Sequence, residues 1–349
     1  MNFELNKITR ANVEALQPYS SARDEYKSDG SEMVFLDANE NPFENGVNRY
    51  PDPQQRDLKS VLAEPKGVLP ENILLGNGSD EVLDLLFRAF CEPHVDNIVT
   101  LPPTYGMYNV LSGINTVENR KVLLTDTFQP DVKEILKVVD EHTKLIFLCS
   151  PNNPTGNGFD EDRIKGLLEA FNGLLVIDEA YIDFSPRKSW VGRLSDFPNL
   201  VVTQTLSKAY GLAGIRLGLC LASTEIISVL NKIKPPYNVN GLTQSRALER
   251  VLAQEAVTSE VANILTEREK LRTALLTVSF VDMLYPTEAN FILVKVDDAD
   301  LRYAQLLHKG IVIRNRSTQP LCQNTLRFTV GTASENKKLI RALKELSDA

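Results

Sequence analysis

Between residues 73 and 222 one unit recurs: a short run of apolar, often branched side chains that closes on a polar or glycine-bearing bend. Such runs occupy residues 73–75, 98–100, 121–124, 145–149, 174–178, 200–205 and 217–222. In runs such as 145–149 and 174–178 successive positions are apolar rather than every second one, the pattern of strands covered on both faces. After the first run, Val82, Leu83, Leu85, Leu86, Phe87, Ala89 and Phe90 have helical spacing, which predicts a helix over roughly 80–90. Strands alternating with helices predict an α/β fold, with a mostly parallel central sheet and helices on both faces.

Beyond Lys234-Pro235-Pro236-Tyr237 the pattern changes. Residues 242–276 read as one long charged helix, with Val251, Leu252, Val257, Val261, Ile264 and Leu265 among its apolar positions. Strands are expected at 291–296, 311–314 and 326–330, and a terminal helix from about 335 to 346, which together make a smaller α+β domain. The expected division is an arm, 1–38, packing on the small domain and a partner subunit; a large domain, 39–240; and a small domain, 241–349, entered through the long bridging helix.

Open parallel sheets bind ligands at the carboxyl ends of their strands, so the bends deserve a chemical reading. The run ending at Thr205 is followed by Leu206-Ser207-Lys208-Ala209-Tyr210-Gly211-Leu212-Ala213-Gly214-Ile215-Arg216. A lysine among small residues, with an arginine at a fixed interval, suits an amine that forms a Schiff base, and the matching partner is pyridoxal 5′-phosphate. That cofactor needs a carboxylate against its ring nitrogen, and Asp178 closes the run 174–178. It needs donors at its ring oxygen, and Tyr181 and Asn153, the latter in Ser150-Pro151-Asn152-Asn153-Pro154-Thr155-Gly156, offer a phenol and an amide. It needs a phosphate cradle, and Gly76-Asn77-Gly78-Ser79-Asp80 opens the first helix, where backbone N–H groups are unpaired. Ser79 is the expected cap of that helix, with Thr205, Ser207 and Arg216 closing the other side. Tyr105, in Pro102-Pro103-Thr104-Tyr105-Gly106, is placed to stack on the ring. Taken singly, Asp178 reads equally well as a strand-end cap and Gly76-Asn77-Gly78 as an ordinary turn. Their conjunction, each at a strand end and each of the required chemical type, favours the cofactor.

The same segments, with Pro18-Tyr19-Ser20-Ser21-Ala22-Arg23, Leu36-Asp37-Ala38-Asn39-Glu40-Asn41-Pro42, Asn48-Arg49-Tyr50-Pro51, Arg88-Ala89-Phe90-Cys91 and Leu326-Arg327-Phe328-Thr329-Val330-Gly331-Thr332, make the chain resemble the fold-type I pyridoxal-phosphate aminotransferases of class I/II nearly end to end. Within that group it is similar to the histidinol-phosphate aminotransferases, to which the Tyr19 and Arg327 segments point. The resemblance implies that Lys208 holds the cofactor and shuttles a proton. It further implies that Asp178 pairs with the ring nitrogen, that Tyr181 and Asn153 hold the ring oxygen, and that Gly78, Ser79, Asp80, Thr205, Ser207 and Arg216 hold the phosphate. Tyr50 would reach that phosphate from the other subunit of a homodimer. Tyr19, Asn153, Arg314 and Arg327 would bind substrate, the two arginines accepting phosphate in one half-reaction and carboxylate in the other. The implied activity is reversible amino transfer between L-histidinol phosphate and 2-oxoglutarate, giving imidazole-acetol phosphate and L-glutamate, in L-histidine biosynthesis. An aromatic amino acid aminotransferase and a pyridoxal-phosphate-dependent phosphothreonine decarboxylase stay open as alternatives. A non-catalytic regulator is disfavoured, because no helix-turn-helix module accompanies the catalytic set.

Composition narrows the field further. A net charge of −8 argues against a nucleic-acid or anionic-membrane surface, and 43% hydrophobic content over 349 residues suffices for two cores. No apolar run reaches the roughly 18 residues that span a bilayer, and no signal segment opens the chain, so a cytoplasmic protein is expected. Cys91, Cys149, Cys220 and Cys322, like His94, His142 and His308, are scattered, with neither metal spacing nor a disulfide framework.

Overall fold

The structure, a computed structural model, describes residues 3–18 and 34–347. Its main sheet has seven strands: β1 (Ile73–Asn77), β2 (Asn97–Thr100), β3 (Glu118–Lys121), β4 (Thr143–Cys149), β5 (Leu174–Asp178), β6 (Leu200–Thr205) and β7 (Leu217–Leu221), in the order β1-β7-β6-β5-β4-β2-β3. β7 runs antiparallel to both neighbours, and the other pairings are parallel. The continuous apolar runs have the meaning expected of them. In β5, Leu175 and Ile177 enter one core, whereas Leu174 and Val176 enter the core on the opposite face. The first core is closed by Leu58, Leu62, Ile135, Ile164 and Leu167 from three helices, and the second by helix α1 (Ser79–Phe90) and by Ile226 and Leu230 of the helix Thr224–Ile233.

A second sheet is antiparallel, in the order β10-β11-β9-β8, and comprises β8 (Val281–Leu284), β9 (Phe291–Val296), β10 (Arg314–Asn315) and β11 (Thr325–Thr329). Its core joins Ile292, Val294, Leu326 and Phe328 to Leu339 and Leu343 of a terminal helix, Ala333–Ser347.

Three expectations are corrected by backbone geometry and pairing. The strand expected at 121–124 is β3, at Glu118–Lys121; it is a polar edge strand, and the buried Val122 and Leu124 that suggested it follow it as loop residues bonded to the carbonyls of Thr100 and Pro102. The strand expected at 311–314 begins only at Arg314, and β8 was not anticipated, because its short edge is half-exposed and lacks alternation. The helix expected over 242–276 is two, α2 (Gly241–Leu252) and α3 (Gln254–Leu275), separated at Ala253, whose ψ of 44° is not helical. Ala247 and Val251 of α2 belong to the core of the seven-stranded sheet, while Leu271 and Leu275 of α3 belong to that of the smaller one. Of the expected arm, residues 3–18 dock on the large sheet's layer. Ile8 and Val13 are buried there, the Arg10 N–H bonds the Ala89 carbonyl, and Lys232 Nζ bonds the Glu14 carbonyl.

Candidate active site

The parallel strands β4, β5 and β6 end on one edge of the sheet, at Cys149, Asp178 and Thr205, and antiparallel β7 starts there at Leu217. A cavity of about 120 Å³ opens at this edge. It is lined by Ser79, Asp80, Tyr105, Asn153, Asp178, Tyr181, Thr205, Ser207, Lys208 and Arg216, ten of the residues singled out from sequence, together with Cys149, Ala180 and Ala213.

One wall is a helix N-terminus. β1 leads through Gly78, at φ 80°, directly into α1, and no side chain caps that helix. Gly78, rather than Ser79, therefore holds the cap position, and the first-turn N–H groups belong to the cavity wall. A side chain at 78 is strained by the positive φ, and a Cβ there, 2.6 Å from an Arg216 guanidinium nitrogen, would push that guanidinium aside. Arg216 itself is held in the left-handed region at φ 56°, its carbonyl accepting the Gly78 N–H at 3.0 Å, and its guanidinium lies 3.6 Å from the Asp80 carboxylate. Tyr105 donates its hydroxyl to the other Asp80 oxygen at 3.0 Å.

The floor is anionic. Asp178 is 3% exposed, and burial raises its pKa. Its carboxylate accepts the Tyr108 hydroxyl at 2.8 Å and the Ala180 N–H at 3.2 Å, but no cation bonds it among the described residues. A buried carboxylate held by neutral donors alone is short of a counter-charge, which a protonated pyridine ring would provide. The helix end with Arg216 matches a phosphate in the same way, so the residues present fit pyridoxal 5′-phosphate.

Lys208 follows β6 and lies with its Nζ 5.8 Å from the centre of the Tyr181 ring. Its stem is open to the cleft, yet the surrounding protein, and then the guanidinium groups of Arg327 and Arg216, lower its pKa, against the opposing pull of Asp178 and Asp80. Burial raises the pKa of Tyr181, so its phenol keeps its proton and acts as a donor. Asn153 joins the two sheets: its amide NH₂ donates to the Tyr181 hydroxyl at 3.5 Å, and its carbonyl accepts from Arg327 Nη1 at 2.5 Å. Arg327 lies on β11, 5.0 Å over the Phe291 ring, and desolvation pulls its pKa down to about 10. Arg314, exposed on β10, is its directly opposed partner in the strand register.

Two expected residues are not among this group. Tyr19 falls outside the described residues. Tyr50 is not in its own chain's cavity; it is half-exposed, stacks on Tyr237 at 4.5 Å and borders a separate surface cleft with Asn48 and Asn240. Three residues were missed. Tyr108, wholly buried and stacked on Phe147 at 4.9 Å, steadies Asp178. Gly218 admits the β1–α1 bend, since a Cβ there would stand 2.2 Å from the Ser79 nitrogen. Arg316, two residues after Arg314, bears electrostatically on Tyr181 and Arg327. The available signals were a glycine within a strand for Gly218 and an Arg-x-Arg spacing for Arg316; nothing in sequence marked Tyr108.

The sequence profile of the aminotransferase class I and II family matches residues 25–343. A curated protein of Flavobacterium johnsoniae named histidinol-phosphate aminotransferase is 65% identical over 346 residues, 99% of each chain. A crystal structure of histidinol-phosphate aminotransferase from Sinorhizobium meliloti in complex with pyridoxal-5′-phosphate superimposes with a TM-score of 0.78 at 26% identity, covering 86% of this chain and 83% of that one. The histidinol-phosphate aminotransferase of Clostridium acetobutylicum has the same fold, with a TM-score of 0.80 at 24% identity over 86% and 91% of the two chains.

Proposed function

The chain belongs to the aminotransferase class I and II family, and from that premise we propose that it is a pyridoxal-phosphate-dependent enzyme exchanging an amino group between L-histidinol phosphate and 2-oxoglutarate, to give imidazole-acetol phosphate and L-glutamate, in L-histidine biosynthesis. The observation that carries the reading is the continuous arrangement at the strand ends: Lys208, Asp178 and a phosphate cradle in one cavity, linked through Asn153 to an arginine from the other sheet.

When bound, pyridoxal 5′-phosphate supplies an electron sink for the carbanion formed at the substrate's amine-bearing carbon. The protein does the rest. Asp178 keeps the ring nitrogen protonated, with the Tyr108 hydroxyl and the Ala180 N–H fixing its carboxylate. The Tyr181 phenol and the Asn153 amide donate to the ring oxygen, and Tyr105 forms the facing wall. The N–H groups of Ser79 and Asp80, the hydroxyls of Thr205 and Ser207, and Arg216 take the phosphate. Lys208 Nζ takes the proton from the substrate carbon and returns it; its lowered pKa leaves more of the amine neutral, as a general base requires. Arg327 and Arg314 bind the distal anion of whichever substrate is present, with Tyr19 adding a hydroxyl to the substrate phosphate. The enzyme works in the cytoplasm as a homodimer, Tyr50 completing the phosphate site of the partner.

Amine transfer from histidinol phosphate, phenylalanine and phosphothreonine, assayed with and without 2-oxoglutarate, tests the reading. Transfer from histidinol phosphate that needs 2-oxoglutarate supports it. Preference for phenylalanine would make the chain an aromatic aminotransferase, and carbon dioxide release from phosphothreonine without 2-oxoglutarate would make it a decarboxylase. Lys208→Ala should abolish multiple turnover and the cofactor's protein-bound absorbance; retention of both would remove Lys208 from its role.

A further inference from the structure

We infer that Arg316 is a specificity-determining residue, a third guanidinium in the substrate-anion subsite that favours a phosphate dianion over a carboxylate. The inference rests on the functional reading above and deepens it.

The backbone sets the cluster. Arg314 and Arg327 are directly opposed on β10 and β11, and pairing continues one step further, with the Arg316 N–H bonded to the Thr325 carbonyl at 2.9 Å. Side chains two residues apart on an extended chain share a face, as do directly opposed residues on neighbouring strands, so Arg314, Arg316 and Arg327 gather on one side of this ribbon. Like charges opposed across strands repel, and the repulsion is left uncompensated here. Among the described residues, no carboxylate pairs with any of the three, whereas Arg302 of the same sheet's layer is held by Asp297 at 2.6 Å.

The donors are also desolvated. The Nε atoms of Arg316 and Arg327 are both buried without a hydrogen-bond partner. Burial lowers the pKa of Arg316, with Arg314 adding to the effect, and Arg327 is depressed by burial and then by Arg316. Unpaired buried N–H donors and unneutralised positive charge on one face are unfavourable until an anion arrives, and the anion recovers both terms at once. A phosphate monoester brings three terminal oxygens and nearly two charges, enough acceptors for three forks; a carboxylate brings two oxygens and one charge. Arg327, already tied to Asn153, is placed for either anion. Arg316 is the guanidinium a carboxylate leaves underused.

The test measures the two half-reactions separately in holoenzyme carrying Arg316→Gln or Arg316→Lys. For Arg316→Gln, KM for histidinol phosphate should rise about 10- to 100-fold, the range of a lost charge-assisted hydrogen bond, while KM for glutamate and both kcat values change by less than about 3-fold. Arg316→Lys should fall between, since it keeps the charge and loses the fork. Inhibition by inorganic phosphate should weaken in parallel, and without ligand Arg316→Gln should melt no lower than the parent, because it removes repulsion rather than support. Equal losses for both substrates, or unchanged phosphate inhibition, would overturn the assignment; so would a destabilised Arg316→Gln with a fully active Arg316→Lys, the mark of a structural arginine. If the parent enzyme ignores histidinol phosphate, the functional reading fails by itself, and the phosphate-inhibition comparison still decides whether Arg316 belongs to an anion subsite.

Discussion

Asp178 illustrates how a single group takes opposite signs in two states of one protein. Its raised pKa means that the folded chain without cofactor binds its proton more tightly than the unfolded chain does. Stability from this group therefore falls as pH rises from the ordinary carboxylate value through the raised one. Asp178→Asn should make the cofactor-free protein more stable at neutral pH, with the advantage vanishing in acid, and should cost the loaded enzyme at least about 100-fold in kcat by losing control of the ring proton; thermal melts against pH and single-turnover rates check the two halves. Lys59 is a second buried charge, outside the active site. It is 6% exposed, and burial, with Lys234 next, depresses its pKa from 10.5 to about 8. Below pH 8 the folded state bears the cost of a buried ammonium, a cost that fades as pH climbs to 10.5. Lys59→Met should stabilise at pH 7 by about 3 kcal/mol, and denaturant midpoints measured at pH 7 and near pH 10.5 should converge at the upper end. Neither environment was legible in sequence. Asp178 was recognisable as a strand-end carboxylate, but Tyr108, which holds it, is separated from it by 70 positions, and apolar spacing says nothing about which hydroxyl lands beneath which acid.

The β1–α1 bend, β5 and β6 were readable because their burial is two-sided and their ends are chemically marked. Legibility failed where burial and pairing part company. β3 is a polar strand beside apolar loop residues, and the α2–α3 boundary at Ala253 falls where a charged stretch changes the core it serves rather than its period. The bend also depends on β7, since Gly78 and Ser79 lie over Gly218 with no room for a methyl group. Gly218→Ala should push the helix start off the sheet, weaken cofactor binding and destabilise the fold by about 1–3 kcal/mol, the usual cost of overpacking. Absorbance titration with pyridoxal 5′-phosphate and a melting curve would show both; unchanged affinity would mean the helix end does not hold the phosphate.

As a molecule, the chain is two sheets joined by α3, by a buried apolar cluster in which Tyr181, Phe184 and Ala209 meet Ala289 and Phe291, and by polar contacts at the same seam: Arg327 to Asn153, the Glu288 N–H to the Gly156 carbonyl at 2.7 Å, and Arg187 to Glu288 at 2.9 Å. The two architectures were visible in the sequence; the seam was not, because its partners are distant along the chain and unremarkable locally. The proposed homodimer is testable by complementation. Mixing Lys208→Ala chains with Tyr50→Ala chains should rebuild one intact site in each mixed dimer and restore about a quarter of parental activity under random twofold pairing. No recovery would place Tyr50 in service of its own subunit. The Arg327–Asn153–Tyr181 relay has its own corollary. Before any guest arrives, the amide's oxygen is spoken for by the arginine, so in the role proposed for Arg327 a guest's negative end would draw that arginine toward itself and slacken its hold on the amide. Even an inert decoy, bearing an acidic tail and nothing to donate, should thus tint the bound vitamin differently, announcing its arrival at the far wall although no bond has been made or broken.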